Sequence, residues 1–150
     1  MKLLKEYQDL DDTLLLLKQQ VADSLPYAEK IIPEFDHPED LFDWMKSQVT
    51  YIADPKGIEL LQSVKTFVKG TRTGTPYGGD CDCFTIFALA GLIVNDFLPC
   101  SVILVGREAD VPVHIYAGVG DDAVPFDLTN DEYGYEREEY SYKQVLEFNL

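Results

Sequence analysis

The sequence predicts an α+β domain in which helices come first and a central helix, opened by Cys81, then packs on a small antiparallel sheet. Three observations carry that expectation. After Gly78-Gly79-Asp80, an apolar run extends from Cys81 through Ile93 with no proline before Pro99, too long for an ordinary strand. Upstream of it, apolar residues recur at helical spacing. Downstream, β-branched segments at 101–107, 113–119 and 123–127 alternate with turn signals.

Composition limits the function classes. A chain of 150 residues, 46% of them hydrophobic, is long enough to bury a core and is read as one domain, residues 1–150. Its 27 acids against 12 bases give a net charge of −15, which argues against nucleic-acid and anionic-membrane partners. Three cysteines, two of them at 81 and 83, fit reduced thiols and a cytoplasmic setting. Lys5, Glu6, Gln8 and Asp9 interrupt any signal-peptide core after Met1.

The elements follow in order. Leu3, Tyr7, Leu10, Leu14, Leu17 and Val21 form a helical stripe over residues 3–25, with a second start available at Asp11-Asp12 and an end at Pro26. This helix is expected to pack on the domain or on a partner, and residues 1–25 are read as an extension that serves homo-oligomer or particle assembly. Ile31, Ile32 and Phe35 anchor a connector. Pro38-Glu39-Asp40 starts a helix, since proline suits the first position and acids the positive end of the dipole. Leu41, Met45, Val49 and Ile52 share its buried face. Residues 58–69 read as a short helix and 70–79 as a loop. Asp80 is a good N-cap, which puts Cys81 in the first turn, where unpaired backbone N–H groups favour an anion. Residues 131–150 form an acidic, tyrosine-rich tail in which Ser141-x-x-Gln144 caps a last short helix.

A candidate site emerges from strand geometry. With Gly120-Asp121 as a two-residue hairpin loop, Val119 faces Asp122, Ala117 faces Val124, Ile115 faces Phe126 and His114 faces Asp127. The last is then a non-hydrogen-bonded pair with Cβ atoms roughly 5 Å apart. Alone, His114 reads as a satisfied strand histidine, Asp127 as the cap of the turn at 128–130, and Tyr51 as core.

Gly79-Asp80-Cys81-Asp82 opening an apolar helix, then His114 on a strand, then Pro125-Phe126-Asp127, resembles the transglutaminase-like superfamily of papain-fold cysteine enzymes. The resemblance covers roughly residues 38–130. Residues 53–60 and Gln62-Ser63 are similar to phage- and prophage-borne members. Cys83 departs from the pattern, standing where relatives carry a polar residue.

The resemblance implies Cys81 as nucleophile, His114 as base, Asp127 as its orienting carboxylate and Tyr51 as oxyanion donor. The implied activity is a cysteine peptidase or amidase working through a thioester on a peptide or amide substrate, with hydrolysis favoured over acyl transfer. The implied cofactors and metals are none. The rival is a catalytically idle member of the same fold serving as a structural part, for example of a virion. A zinc site built from Cys81, Cys83, Cys100 and His114 ranks third, because one helical turn points the first two thiols apart.

Overall fold

The computed structural model describes residues 3–4, 10–53, 59–108 and 112–150, and it is a mixed helix and strand structure. Leu3–Leu4 (β1) pairs antiparallel with Glu59–Leu60 (β3). Between them come helices Leu10–Ile31 (α1) and Pro38–Gln48 (α2) and the short strand Thr50–Tyr51 (β2). Then follow Val64–Lys69 (α3), Gly78–Gly79 (β4) and the central helix Cys81–Val94 (α4). The remaining strands are Cys100–Gly106 (β5), His114–Val119 (β6), Val124–Phe126 (β7) and Tyr142–Glu147 (β8). These four form one antiparallel sheet in the order β7-β6-β5-β8.

Helix α4 behaves as its sequence predicts. Asp80 caps it by accepting from the Asp82 N–H at 3.2 Å, and every residue from Asp82 to Leu92 is buried. A helix apolar on all sides has to be enclosed on all sides. The sheet covers one side through Ile115, Ala117 and Val119, while α1, α2 and α3 cover the others. Gly91 lets α2 approach, since a Cβ there would sit 2.1 Å from Met45 Cε.

Three expectations need correction. Pro26 does not end the first helix: α1 runs on to Ile31, and Ile32 N–H still reaches the Ala28 carbonyl at 2.9 Å. Proline removes one backbone bond, but Ala28 and Ile32 are buried in the core, and that packing outweighs it. Second, the described part of residues 1–25 is not an extension outside the core. Leu17 and Val21 are completely buried within this chain, so the described part of the stripe is already used. Leu3, Tyr7 and Leu10 have side chains outside the described residues. Deleting residues 1–25 is therefore expected to abolish cooperative thermal unfolding followed by circular dichroism, because α4 would lose a wall of its enclosure. A truncated chain that melts cooperatively would return the helix to a peripheral role.

The third correction concerns the tail, where the helix expected from Ser141 onward is strand β8. Its side chains alternate, Tyr142, Gln144 and Leu146 half-buried against Lys143, Val145 and Glu147 exposed, which is period two rather than 3.6. Ser141 does not cap a helix, because its hydroxyl donates to the Arg107 carbonyl. Segment 131–141 crosses the outer face of the sheet before β8 pairs with the fully buried β5. Tyr140 packs there on Ile103, Val105 and Tyr116. Smaller shifts occur upstream: residues 59–60 are strand rather than helix, and α3 begins only after the Ser63 cap, whose hydroxyl accepts from Thr66 N–H.

Candidate active site

The hairpin that delivers His114 and Asp127 is wider than expected. Val119 pairs with Val124 rather than Asp122, Gly118 with Pro125 and Ala117 with Phe126. Four residues, 120–123, make the turn, closed by Ala123 N–H donating to the Gly120 carbonyl at 3.0 Å, with φ of +82° at Gly120 and +49° at Ala123. The register is thus two residues away from the expected one. Because side chains alternate with period two, that shift keeps every residue on its expected face, whereas a shift of one would not. Asp127 follows the end of β7 and meets His114 diagonally.

Their contact is close. His114 Nε2 lies 2.7 Å from Asp127 Oδ2, with 11% of the histidine side chain and 3% of the aspartate side chain exposed. Asp127 Oδ1 accepts from Thr129 N–H at 3.0 Å and from the Thr129 hydroxyl at 2.7 Å. Asp127 thus caps the turn with one oxygen and meets His114 with the other. Arg137 Nη2 in turn donates to Thr129 Oγ1 at 2.9 Å, so a guanidinium, a hydroxyl, a carboxylate and an imidazole form one chain of contacts. On its other side the His114 ring lies 5.6 Å from that of Tyr116, whose hydroxyl donates to Glu136. Burial, and then Glu136, push the Tyr116 phenol well above its ordinary range, which keeps that proton in place.

Cys81 opens α4 and is partly accessible, whereas Cys83 and Cys100 are buried. The Thr85 hydroxyl links this end of the helix to β6, lying 2.7 Å from the Cys81 carbonyl and 3.3 Å from the Ile115 carbonyl. Tyr51 is paired in parallel with Gly79, two residues before Cys81, and Ile52 N–H donates to the Gly79 carbonyl at 2.8 Å. It is not core: 58% of it is exposed, and its ring meets that of Phe84 edge-on at 5.9 Å. The structure thus sets Cys81, His114, Asp127 and Tyr51 on adjoining elements at one end of α4. Thr85, Thr129, Arg137, Tyr116 and Glu136 were not singled out from the sequence. Only the Asp127-x-Thr129 spacing, a turn motif, carried a local signal for any of them.

Burial pushes the Cys83 thiol up to about 12, with Asp80 adding to the effect, and burial followed by Glu147 pushes Cys100 up to about 11. Gln62 Nε2 also donates toward Cys83 Sγ at 3.3 Å and to the Gly78 carbonyl at 3.0 Å, which steadies the strand ahead of Cys81. The raised values set the sign of an alkaline effect. An unfolded thiol ionises near about 8.5. Above that pH the unfolded chain holds fewer protons than the folded one, so stability falls as pH rises. The loss is expected to begin near pH 8.5 and to continue through about 11 and about 12, the folded values. Urea denaturation of the wild type and Cys83→Ala at several alkaline pH values checks this, the variant giving the shallower decline.

No protein-family model, no curated protein and no solved structure matches this chain. Among the described residues no group of three or more His, Cys, Asp or Glu side chains is arranged to hold a metal ion, and no helix is long and apolar enough to cross a membrane.

Proposed function

We propose that this protein is a cysteine hydrolase of the transglutaminase-like kind, cleaving an amide or peptide bond through a thioester on Cys81. The observation that carries the reading is the part-buried 2.7 Å contact between His114 Nε2 and Asp127 Oδ2, on a strand tied through Thr85 to the helix turn that holds Cys81. With Nε2 engaged, Nδ1 is the nitrogen available to take the thiol proton. The thiolate attacks the substrate carbonyl, and the tetrahedral oxyanion is met by the Cys81 backbone N–H and the Tyr51 hydroxyl. His114 passes the proton to the leaving amine. Water then attacks the thioester, losing a proton to His114, and the acid and the thiol are released. Asp127 holds the imidazole in one orientation and stabilises its cationic form, as a buried carboxylate does in a nucleophile–base–acid triad.

The test uses the intact chain and a neutral alkylating reagent such as iodoacetamide. Cys81 is expected to react faster at neutral pH than a small reference thiol. Asp127→Asn, which keeps the shape and removes the charge, is expected to slow that reaction about tenfold while the protein stays folded. Labelling no faster than the reference thiol, and equal in both proteins, would favour the catalytically idle reading, in which the fold serves assembly.

A further inference from the structure

A cleft of about 360 Å³ is walled by residues next to the site in the chain or in the fold, among them Lys46, Tyr51, Phe84, Leu128, Thr129 and Arg137. Its position follows from the chain: Tyr51 pairs with Gly79, Phe84 is one helical turn beyond Cys81, and Leu128 and Thr129 follow Asp127. Its charge runs against the composition. Acids outnumber bases 27 to 12 in the chain, yet the residues lining this cleft include two bases and no acid.

Among the described residues, neither cation is fully consumed by the protein. Lys46 Nζ donates to the Leu128 carbonyl at 2.9 Å, and its nearest carboxylate, on the fully exposed side chain of Asp131, stands 3.8 Å away, beyond hydrogen-bond length. An ammonium has three donors, so at least one stays available for a ligand. Arg137 meets Thr129 through Nη2, at 2.9 Å to the hydroxyl and 3.3 Å to the carbonyl. Tyr51 and Phe84, edge-on to each other, give the cleft an aromatic wall suited to an aliphatic stem.

We infer that this cleft is a substrate subsite for a carboxylate, so that the acyl group delivered to Cys81 is that of an acidic, peptide-like compound. The inference rests on the hydrolase reading and gives it a substrate class. Charge-assisted bonds from Lys46 and Arg137 hold the carboxylate, and the surrounding negative charge of the protein disfavours acidic compounds everywhere else. The carboxylate has two sources in a peptide, an Asp or Glu side chain or the chain terminus.

Three reagents separate the possibilities on the intact protein: N-iodoacetyl-glutamine amide, which is neutral; N-iodoacetyl-glutamate amide, with a side-chain carboxylate; and N-iodoacetyl-glutamine, with a terminal one. Adduct formation at Cys81 is followed by mass spectrometry, with N-acetylcysteine amide as the reference thiol. At least one anionic reagent is expected to outpace the neutral one by about tenfold, relative to the same ratio on the reference thiol. The faster of the two identifies the source. Lys46→Gln combined with Arg137→Gln is expected to bring that ratio down to the reference value, and Lys46→Arg to retain it. In the wild type, salt at about 1 M is expected to erase the preference, a readout that does not depend on how the variants fold.

A wild-type ratio at or below the reference overturns the inference, as does a preference that survives the double substitution or high salt. The neutral reagent reports separately on the nucleophile. A neutral rate equal to that of the reference thiol, beside a strong anionic preference, would sink the hydrolase reading and leave the anion site standing. A fast neutral rate with no preference would do the reverse.

Discussion

Phe42→Ala is expected to cost about 3–5 kcal/mol, among the largest losses available to one side chain of this protein. Phe42 is completely buried on α2, and its ring meets Phe126 edge-on at 5.3 Å and Tyr133 at 5.9 Å. Its removal leaves an aromatic-sized cavity and breaks both ring contacts, each worth about 0.5–1.5 kcal/mol beyond area alone. Urea denaturation and a melting temperature lowered by roughly 10 °C would report it. The site is expected to suffer as well. Phe126 is the last residue of β7 and precedes Asp127, so a loosened Phe126 lets the carboxylate drift from His114. A loss below about 1 kcal/mol would mean that the ring cluster does not anchor the end of β7.

His114→Ala carries the largest expected effect on reactivity. At pH near 6 an ordinary thiol, ionising near about 8.5, is well under about 1% thiolate. A thiolate held by an imidazolium remains ionised there, while its lower basicity gives back part of the gain in nucleophilicity. Alkylation of Cys81 at that pH is therefore expected to fall about ten- to a hundredfold. Stability is expected to drop by about 1–3 kcal/mol, because Asp127 is 3% exposed and loses one of its partners. Asp127 keeps both of its bonds from Thr129, so the fold survives. An unchanged alkylation rate in a folded variant would separate the histidine from the thiol.

What the sequence revealed was whatever depends on local chemistry and parity. The Asp80 cap, the start of α4 at Cys81 and its uninterrupted burial are readable because capping and apolar run length are local properties. Hairpin spacing brings His114 and Asp127 together in a register two residues from the observed one. It still places them on one face, because an even shift preserves alternation. The turn itself was missed because Gly120-Asp121 is a good two-residue loop in isolation, while the chain uses Ala123 at positive φ, which its residue type does not announce.

What stayed hidden depends on distant partners. Pro26 looks like a helix end until Ala28 and Ile32 are seen in the core. Ser141 to Phe148 looks like a capped helix until β5 is seen to need a second edge partner. Arg137 falls in a stretch that the family resemblance leaves out, and only folding brings it to Thr129 and so into line with Asp127. Long-range contacts of this sort leave no periodicity to read.

Whether Cys81 and His114 act as one unit is read most directly from the rate of Cys81 alkylation by iodoacetamide as a function of pH. Between about pH 5 and pH 9, a coupled pair gives a reactive plateau that extends to the acidic side of neutrality, because the thiolate there is held by the imidazolium. The plateau is expected in the wild type, reduced in Asp127→Asn and absent in His114→Ala. A single rise centred near about 8.5, the same in all three proteins, would show an ordinary thiol and contradict the reading of Cys81, His114 and Asp127 as a catalytic unit.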